Sequence, residues 1–262
     1  MHTEGPQTAF FSREGDFYRA SEYTRGPWNM EHQHGSPATA LVGHILQAQS
    51  KMQMARLSVE ILRAIPIDAL EIRTSLLRPG RLVEIRGASV YRRGKELLRA
   101  SALFIKPEDV DFGDAPELGE SQPAAPDQSR ARAFPFFLAE KGFHSAVELR
   151  TAHGDIGSGR AAVWMRMKVP LIAGEEPTPL DRLLITADCG NGIAAFLDMK
   201  KFTFVNPDLT IYMNRLPRGE WVCLDARTRA EYQGIAFSDT AVFDEAGQLG
   251  RVNQALLLRH AR

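Results

Sequence analysis

The feature that most restricts how this chain folds is a repeat within it. Leu57, Ser58, Val59, Ile61 and Arg63 match Leu209, Thr210, Ile211, Met213 and Arg215 at a constant offset of 152 residues. The same offset returns well downstream, where Leu97 and Arg99 fall on Leu249 and Arg251, each just past a glycine turn signal at Gly94 or Gly247. Two separate matches at one offset point to an internal duplication.

The length accommodates two such units. A chain of 262 residues with 44% hydrophobic content can bury two joined cores of ordinary domain size. Residues 107–135 are rich in Pro, acids and Ser with few aliphatic anchors, and read as a linker between an N-terminal module at 1–106 and a C-terminal module at 136–262. Lys plus Arg and Asp plus Glu both total 32, so no net positive field attracts a polyphosphate backbone, and nucleic acid is not an expected partner. The apolar runs are broken too often to cross a membrane. Two cysteines, Cys189 and Cys223, and an opening without a secretory pattern lead us to expect a cytoplasmic protein.

Each unit carries the same order of signals: an extended stretch, a helical stretch, then strand-like stretches. The first helix is expected to start at Ser36 as N-cap with Pro37 as its first residue, and to continue through Ala40, Leu41, Gly43, His44, Leu46 and Gln47. Thr178-Pro179 opens the second in the same way, with Leu183, Leu184, Ala187, Ala194, Ala195 and Leu197 on its buried side. Segments such as Ala69 to Leu77 and Trp221 to Arg229 alternate apolar and polar residues, so their strands bury one face only. An antiparallel sheet wrapped around one long helix satisfies this pattern. The expectation is therefore an α+β protein with two tandem hotdog modules paired edge to edge, a double hotdog.

Few polar residues stand out against this apolar pattern. Asp188 interrupts a helix otherwise composed for burial; it either caps a break before Gly190-Asn191-Gly192 or serves as a general base. Gln254 shares a strand face with Val252, Leu256 and Leu258, where an amide must find partners. Asn206, before Pro207, is either a turn residue or a third polar group near the helix. The offset sets Asp188 against Ser36 and Gln254 against Ala102. Gly35, with Ser36 beside it, opens the first helix with unpaired amides, which suit an oxygen on which negative charge develops.

Other motifs are weaker. His32 and His34 lack a third ligand in sequence, so no metal is expected. Gly154 to Gly159 is glycine-rich but precedes a strand-like stretch, and reads as a hairpin turn. No G-x-S-x-G elbow occurs, and neither cysteine has a neighbouring histidine, so a covalent acyl-enzyme is not expected.

Three segments, Gly26 to Ala38, Asp208 to Arg215 and Val252 to Arg259, taken in this order, give the chain a resemblance to the bacterial acyl-CoA thioesterase II group and its thioesterase-like relatives. That resemblance covers most of the chain outside the linker. It implies a double hotdog fold, hydrolysis of an acyl-CoA without metal or other cofactor, and a water positioned by an Asp, a Thr and a Gln. Asp188 and Gln254 match the first and third, whereas Asn206 stands at the Thr position. Gly35 and Ser36 are the expected seat of the thioester carbonyl. The alternatives are a non-catalytic acyl-thioester binder and an enoyl-CoA hydratase or dehydratase. Phe136, Phe137, Phe196 and Trp164 are candidates for the acyl wall, and Lys200 and Lys201 for the CoA phosphates. Exposed sheet edges suggest a homo-oligomer, dimer or higher.

Overall fold

Ser58 and Thr210, equivalent residues of the two repeated segments, lie directly opposite each other in an antiparallel strand pair. Leu57 pairs with Ile211 and Val59 with Leu209, so an approximate two-fold axis passes between Ser58 and Thr210, whose hydroxyls are 3.3 Å apart. The computed structural model describes residues 8–111, 113, 120–134, 137, 139–198 and 201–260.

The strands are β1 (Phe11–Glu14), β2 (Phe17–Ala20), β3 (Gln53–Ile61), β4 (Ala69–Arg78), β5 (Val83–Arg92), β6 (Lys95–Ile105), β7 (Arg130–Arg132), β8 (Val147–Gly154), β9 (Arg160–Met167), β10 (Phe202–Val205), β11 (Asp208–Met213), β12 (Val222–Glu231), β13 (Ile235–Asp244) and β14 (Gly247–His260). The helices are α1 (Gly35–Ala48), α2 (Phe143–Ala146), α3 (Pro179–Ala187) and α4 (Gly190–Ile193). One antiparallel sheet runs outward from the β3–β11 seam as β6, β5, β4, β2, β1 on one side and β14, β13, β12, β9, β8, β7 on the other, with β10 also paired to β14. Its inner face buries Leu57, Val59, Leu98, Leu209 and Ile211 together with Leu41 and Leu46 of α1 and Leu183 and Leu184 of α3. Gly43 of α1 lies so close to Leu184 that a methyl group there would collide with it. The two helices pack against each other with no room to spare.

The helix ends differ from the sequence expectation in two places. α1 starts at Gly35, one residue before the expected cap, because the His34 ring accepts the Ser36 N–H at 3.1 Å and does the capping itself. Ser36 is inside the helix and fully buried. α3 begins as expected, with Thr178 and Asp181 in a reciprocal capping box, but ends at Asp188. Gly190-Asn191-Gly192 restarts only the short α4, so Ala194, Ala195 and Leu197 follow the helix rather than extend it.

This break also corrects the expected alignment of Asp188 with Ser36. Aligned by their caps, His34 and Thr178, the helices are offset by 178 − 34 = 144 residues, and Asp188 then falls opposite His44. The constant offset fails because the second half has eight more residues between cap and seam strand, which include β10. Gln254 remains opposite Ala102, since β6 and β14 keep the seam register. α1 and α3 run antiparallel, so His44 meets the start of α3, where its Nδ1 is 3.0 Å from Asp181 and its Nε2 3.3 Å from Glu175.

The described part of 107–135 is not a free tether. Ala124 accepts from the Trp164 indole at 2.7 Å, Gln122 donates to the Asp244 carbonyl at 2.8 Å, and Glu120 pairs with Arg227 and Arg251. This strap lies beside an outer-face cluster of Trp164, Trp221, Cys223 and Phe243. Among the described residues no helix is long and apolar enough to cross a membrane.

The Asp181 hydrogen bond, then the charges of Asp181 and Glu175, raise the His44 pKa above its ordinary value. A raised folded-state pKa gives stability that is complete below about 6.5, the unfolded value, and is lost as pH rises through the folded value. His44→Gln should therefore destabilise more at pH 5.5 than at pH 8.5, by about 1 kcal/mol after allowing for solvent screening, as read by denaturant unfolding at both pH values.

Candidate active site

The break after α3 gives Asp188 its position. As the residue that ends the helix, it leaves the α-helical path and directs its carboxylate toward the first turn of α1, while 4% of its surface stays exposed. Gly35 abuts that carboxylate so closely that a Cβ would collide with Oδ2, and its backbone amide helps to favour the charged acid. Only glycine fits there.

Two amides complete the shell. Asn206 Nδ2 donates a short hydrogen bond to Asp188 Oδ1, and Gln254 Nε2 donates to the same oxygen at 2.9 Å. Gln254 is held in turn by Asn191, whose backbone N–H donates to Gln254 Oε1 at 3.1 Å. Asn191 also donates its side-chain N–H to Asn206 Oδ1 at 3.4 Å, closing a ring of four polar residues. The Asn206 and Gln254 orientations are thus both fixed by α4. Among the described residues no Lys or Arg pairs with Asp188; its hydrogen-bond donors are neutral amides. Burial outweighs the Asn206, Gln254 and Gly35 hydrogen bonds and raises the Asp188 pKa to about 7.

The acid opens into a cavity of about 520 Å³. Trp28, Ile61, Phe134, Phe137 and Phe204 line it alongside Asp188, with Trp28 edge-on to Phe204 at 5.3 Å. An apolar chamber with a few convergent polar groups is the usual form of a small-molecule site.

Asp188, Gln254 and Asn206, singled out from sequence, come together here. Gly35 touches the acid, whereas the Ser36 hydroxyl faces Cys189 Sγ at 3.9 Å and does not line the cavity. Phe137 lines the cavity, but Trp164 is in the outer-face cluster and Phe196 lines a smaller adjoining pocket. Lys201 is an exposed partner of Asp198, and Phe136 and Lys200 lie outside the described residues. Asn191 was missed, although its place in a helix-breaking Gly-Asn-Gly run marked it as unusual. His34 was weighed only as a metal ligand; it lies in the cavity wall, its Nδ1 3.4 Å from Asp188 Oδ2. Among the described residues no three His, Cys, Asp or Glu side chains cluster as metal ligands.

Residues 24–105 match the acyl-CoA thioesterase N-terminal domain and residues 116–258 the acyl-CoA thioesterase C-terminal domain, together most of the chain. The chain belongs to the acyl-CoA thioesterase family. Its activity is therefore that of a thioester hydrolase, releasing a carboxylic acid and CoA. No curated protein sequence matches the chain. Solved structures resemble this thioesterase in fold at low identity. One is a provisionally named thioesterase from Novosphingobium aromaticivorans, 18% identical with a TM-score of 0.75 over 95% of this chain and 98% of the other. Another is a hot dog fold protein of unknown function from Alicyclobacillus acidocaldarius, 14% identical with a TM-score of 0.75 over 96% of each chain. A third is acyl-CoA thioesterase II from Mycobacterium marinum, 16% identical with a TM-score of 0.67 over 95% and 93%. The thioesterase thus has a hotdog fold.

Because the folded Asp188 binds its proton more tightly than the usual carboxylate, folding loses stability as pH rises from about 4 to about 7 and levels off above. Asp188→Asn removes this titration. Relative to the variant, wild type should lose about 2–4 kcal/mol between pH 4 and pH 8, at 1.36 kcal/mol per pKa unit, as measured by denaturant unfolding across that range.

Proposed function

We propose that this thioesterase works by direct attack of one water held by Asp188, Gln254 and Asn206, within a double hotdog of modules at 1–106 and 136–262 joined by 107–135. The observation that carries the reading is the convergence of Asn206 and Gln254 on a buried acid at the wall of an apolar cavity. The acyl chain lies among Phe134, Phe137 and Phe204, with its thioester carbon toward Asp188. Gly35 borders that carbon, and Ser36 acts from behind by fixing the His34 ring.

In the reaction the water oxygen adds to the carbonyl carbon, the C=O pair moves to oxygen, and Asp188 takes a water proton. When the pair returns, the C–S bond breaks, the sulfur leaves with its electrons, and Asp188 returns the proton to the thiolate. A base with a pKa of about 7 is well matched to both transfers. Asn206 in place of a threonine supports the same task, since its amide donates to the acid and accepts from Asn191.

Two further readings complete the proposal. The protein acts in the cytoplasm. It also self-associates, supported by Val205, Leu257 and Ile235, which face each other across β10, β14 and β13 as an exposed apolar row.

In a thiol-release assay over acyl-CoAs of graded length, Asp188→Asn should lower kcat by about 10²–10⁴-fold. Wild-type kcat/KM should fall below a pH of about 7 as the base becomes protonated. Unchanged turnover in the variant would remove Asp188 from the chemistry, and loss of enoyl-CoA absorbance without thiol release would transfer the site to a hydratase.

A further inference from the structure

His34 has no part in the steps above, yet it is held more firmly than a loop residue needs to be. Its Nδ1 accepts the Ser36 N–H at 3.1 Å, which in the neutral ring leaves the proton on Nε2. The imidazole stacks on the buried Phe143, with centroids 4.4 Å apart and planes 8° from parallel. The Phe143 N–H is tied to the Arg25 carbonyl at 3.0 Å, so the stacking partner is also fixed. Burial lowers the His34 pKa to about 4, so the ring is neutral at working pH. The ring lines the cavity beside Asp188, and among the described residues no group accepts from Nε2, which is not among the sealed, unpartnered atoms either.

The helix amides that would otherwise receive a carbonyl oxygen are already engaged. The Gly35 backbone packs against the Asp188 carboxylate, which its amide favours, and the Ser36 N–H bonds His34. A thioester whose carbon faces Asp188 still needs a donor for its oxygen as charge develops there. The fixed, neutral, unpartnered imidazole N–H supplies one.

Resting on the hydrolytic reading above, we propose that His34 is a catalytic residue that donates its Nε2–H to the thioester carbonyl oxygen and stabilises the oxyanion. The proton stays on Nε2 throughout. The C=O pair moves onto oxygen when water adds and returns when the C–S bond breaks, while the imidazole only strengthens and relaxes one hydrogen bond.

Two substitutions separate this role from capping. In His34→Asn the side-chain oxygen keeps the place of Nδ1 and the cap, but no donor reaches the place of Nε2. In His34→Gln the amide N–H reaches that place, while the cap acceptor is lost. The proposal expects kcat in His34→Asn to fall about 10²–10³-fold with KM changed only a few-fold, and His34→Gln to recover much of it. The reverse order, or two active variants, overturns it.

If both variants lose activity, the carbonyl band of [1-¹³C]hexanoyl-CoA bound to the Asp188→Asn protein decides. A shift to lower frequency relative to the free thioester, absent in the Asp188→Asn/His34→Asn double variant, supports the donor role, and equal bands reject it. Full turnover in Asp188→Asn alone marks failure of the Asp188 mechanism instead, since the His34 comparison is made independently in the wild-type background.

Discussion

A buried carboxylate held by neutral hydrogen-bond donors is the constraint from which the rest of the site follows. Removing Asp188 from water is unfavourable unless dipoles replace the lost hydration, and here they come from Gly35, Asn206 and Gln254. Each donor needs its own structural provision. α3 must stop at residue 188, α1 must start with a residue lacking Cβ, β14 must carry an amide on its apolar face, and α4 must hold that amide by its oxygen. The compensation is incomplete, which leaves the acid with a pKa near neutrality, where a base is useful.

Much of this was legible in the sequence, for identifiable reasons. Asp188 and Gln254 are polar residues where the apolar period demands otherwise, so their anomaly could be read without coordinates. The seam was legible because strands of period two keep register over long stretches, and Ser58 and Thr210 do pair. The helix alignment was not, because a constant offset cannot register eight residues inserted between cap and strand. The α1 cap was misplaced by two residues because cap preferences favour Ser over His, while ring stacking on Phe143 makes His34 the better-fixed acceptor. Asn191 could not be assigned because its partners, Gln254 and Asn206, come from distant parts of the chain.

The helix pair has two polar ends that do different things. At one end Asp188 meets α1 with neutral donors around it; at the other His44 meets the capping box of α3 with two carboxylates. The first holds a buried acid among neutral donors, and the second joins two helices through a histidine whose pKa is raised by its acidic partners. With Ala102 opposite Gln254, the His44 end lacks the amide that bonds the acid at the Asp188 end.

The strap over the outer face has a bearing on how substrate range changes over generations. It is anchored by Gln122, Ala124 and Glu120 beside the outer-face cluster, and beyond β7 the same backbone delivers Phe134 to the chamber wall. Lengthening or shortening it between those points moves an aromatic ring relative to the chamber and touches only the edge pairing of β7 with β8 in the sheet. The shape of the chamber and the integrity of the fold are thereby partly uncoupled, and drift in this stretch can reshape the chamber wall.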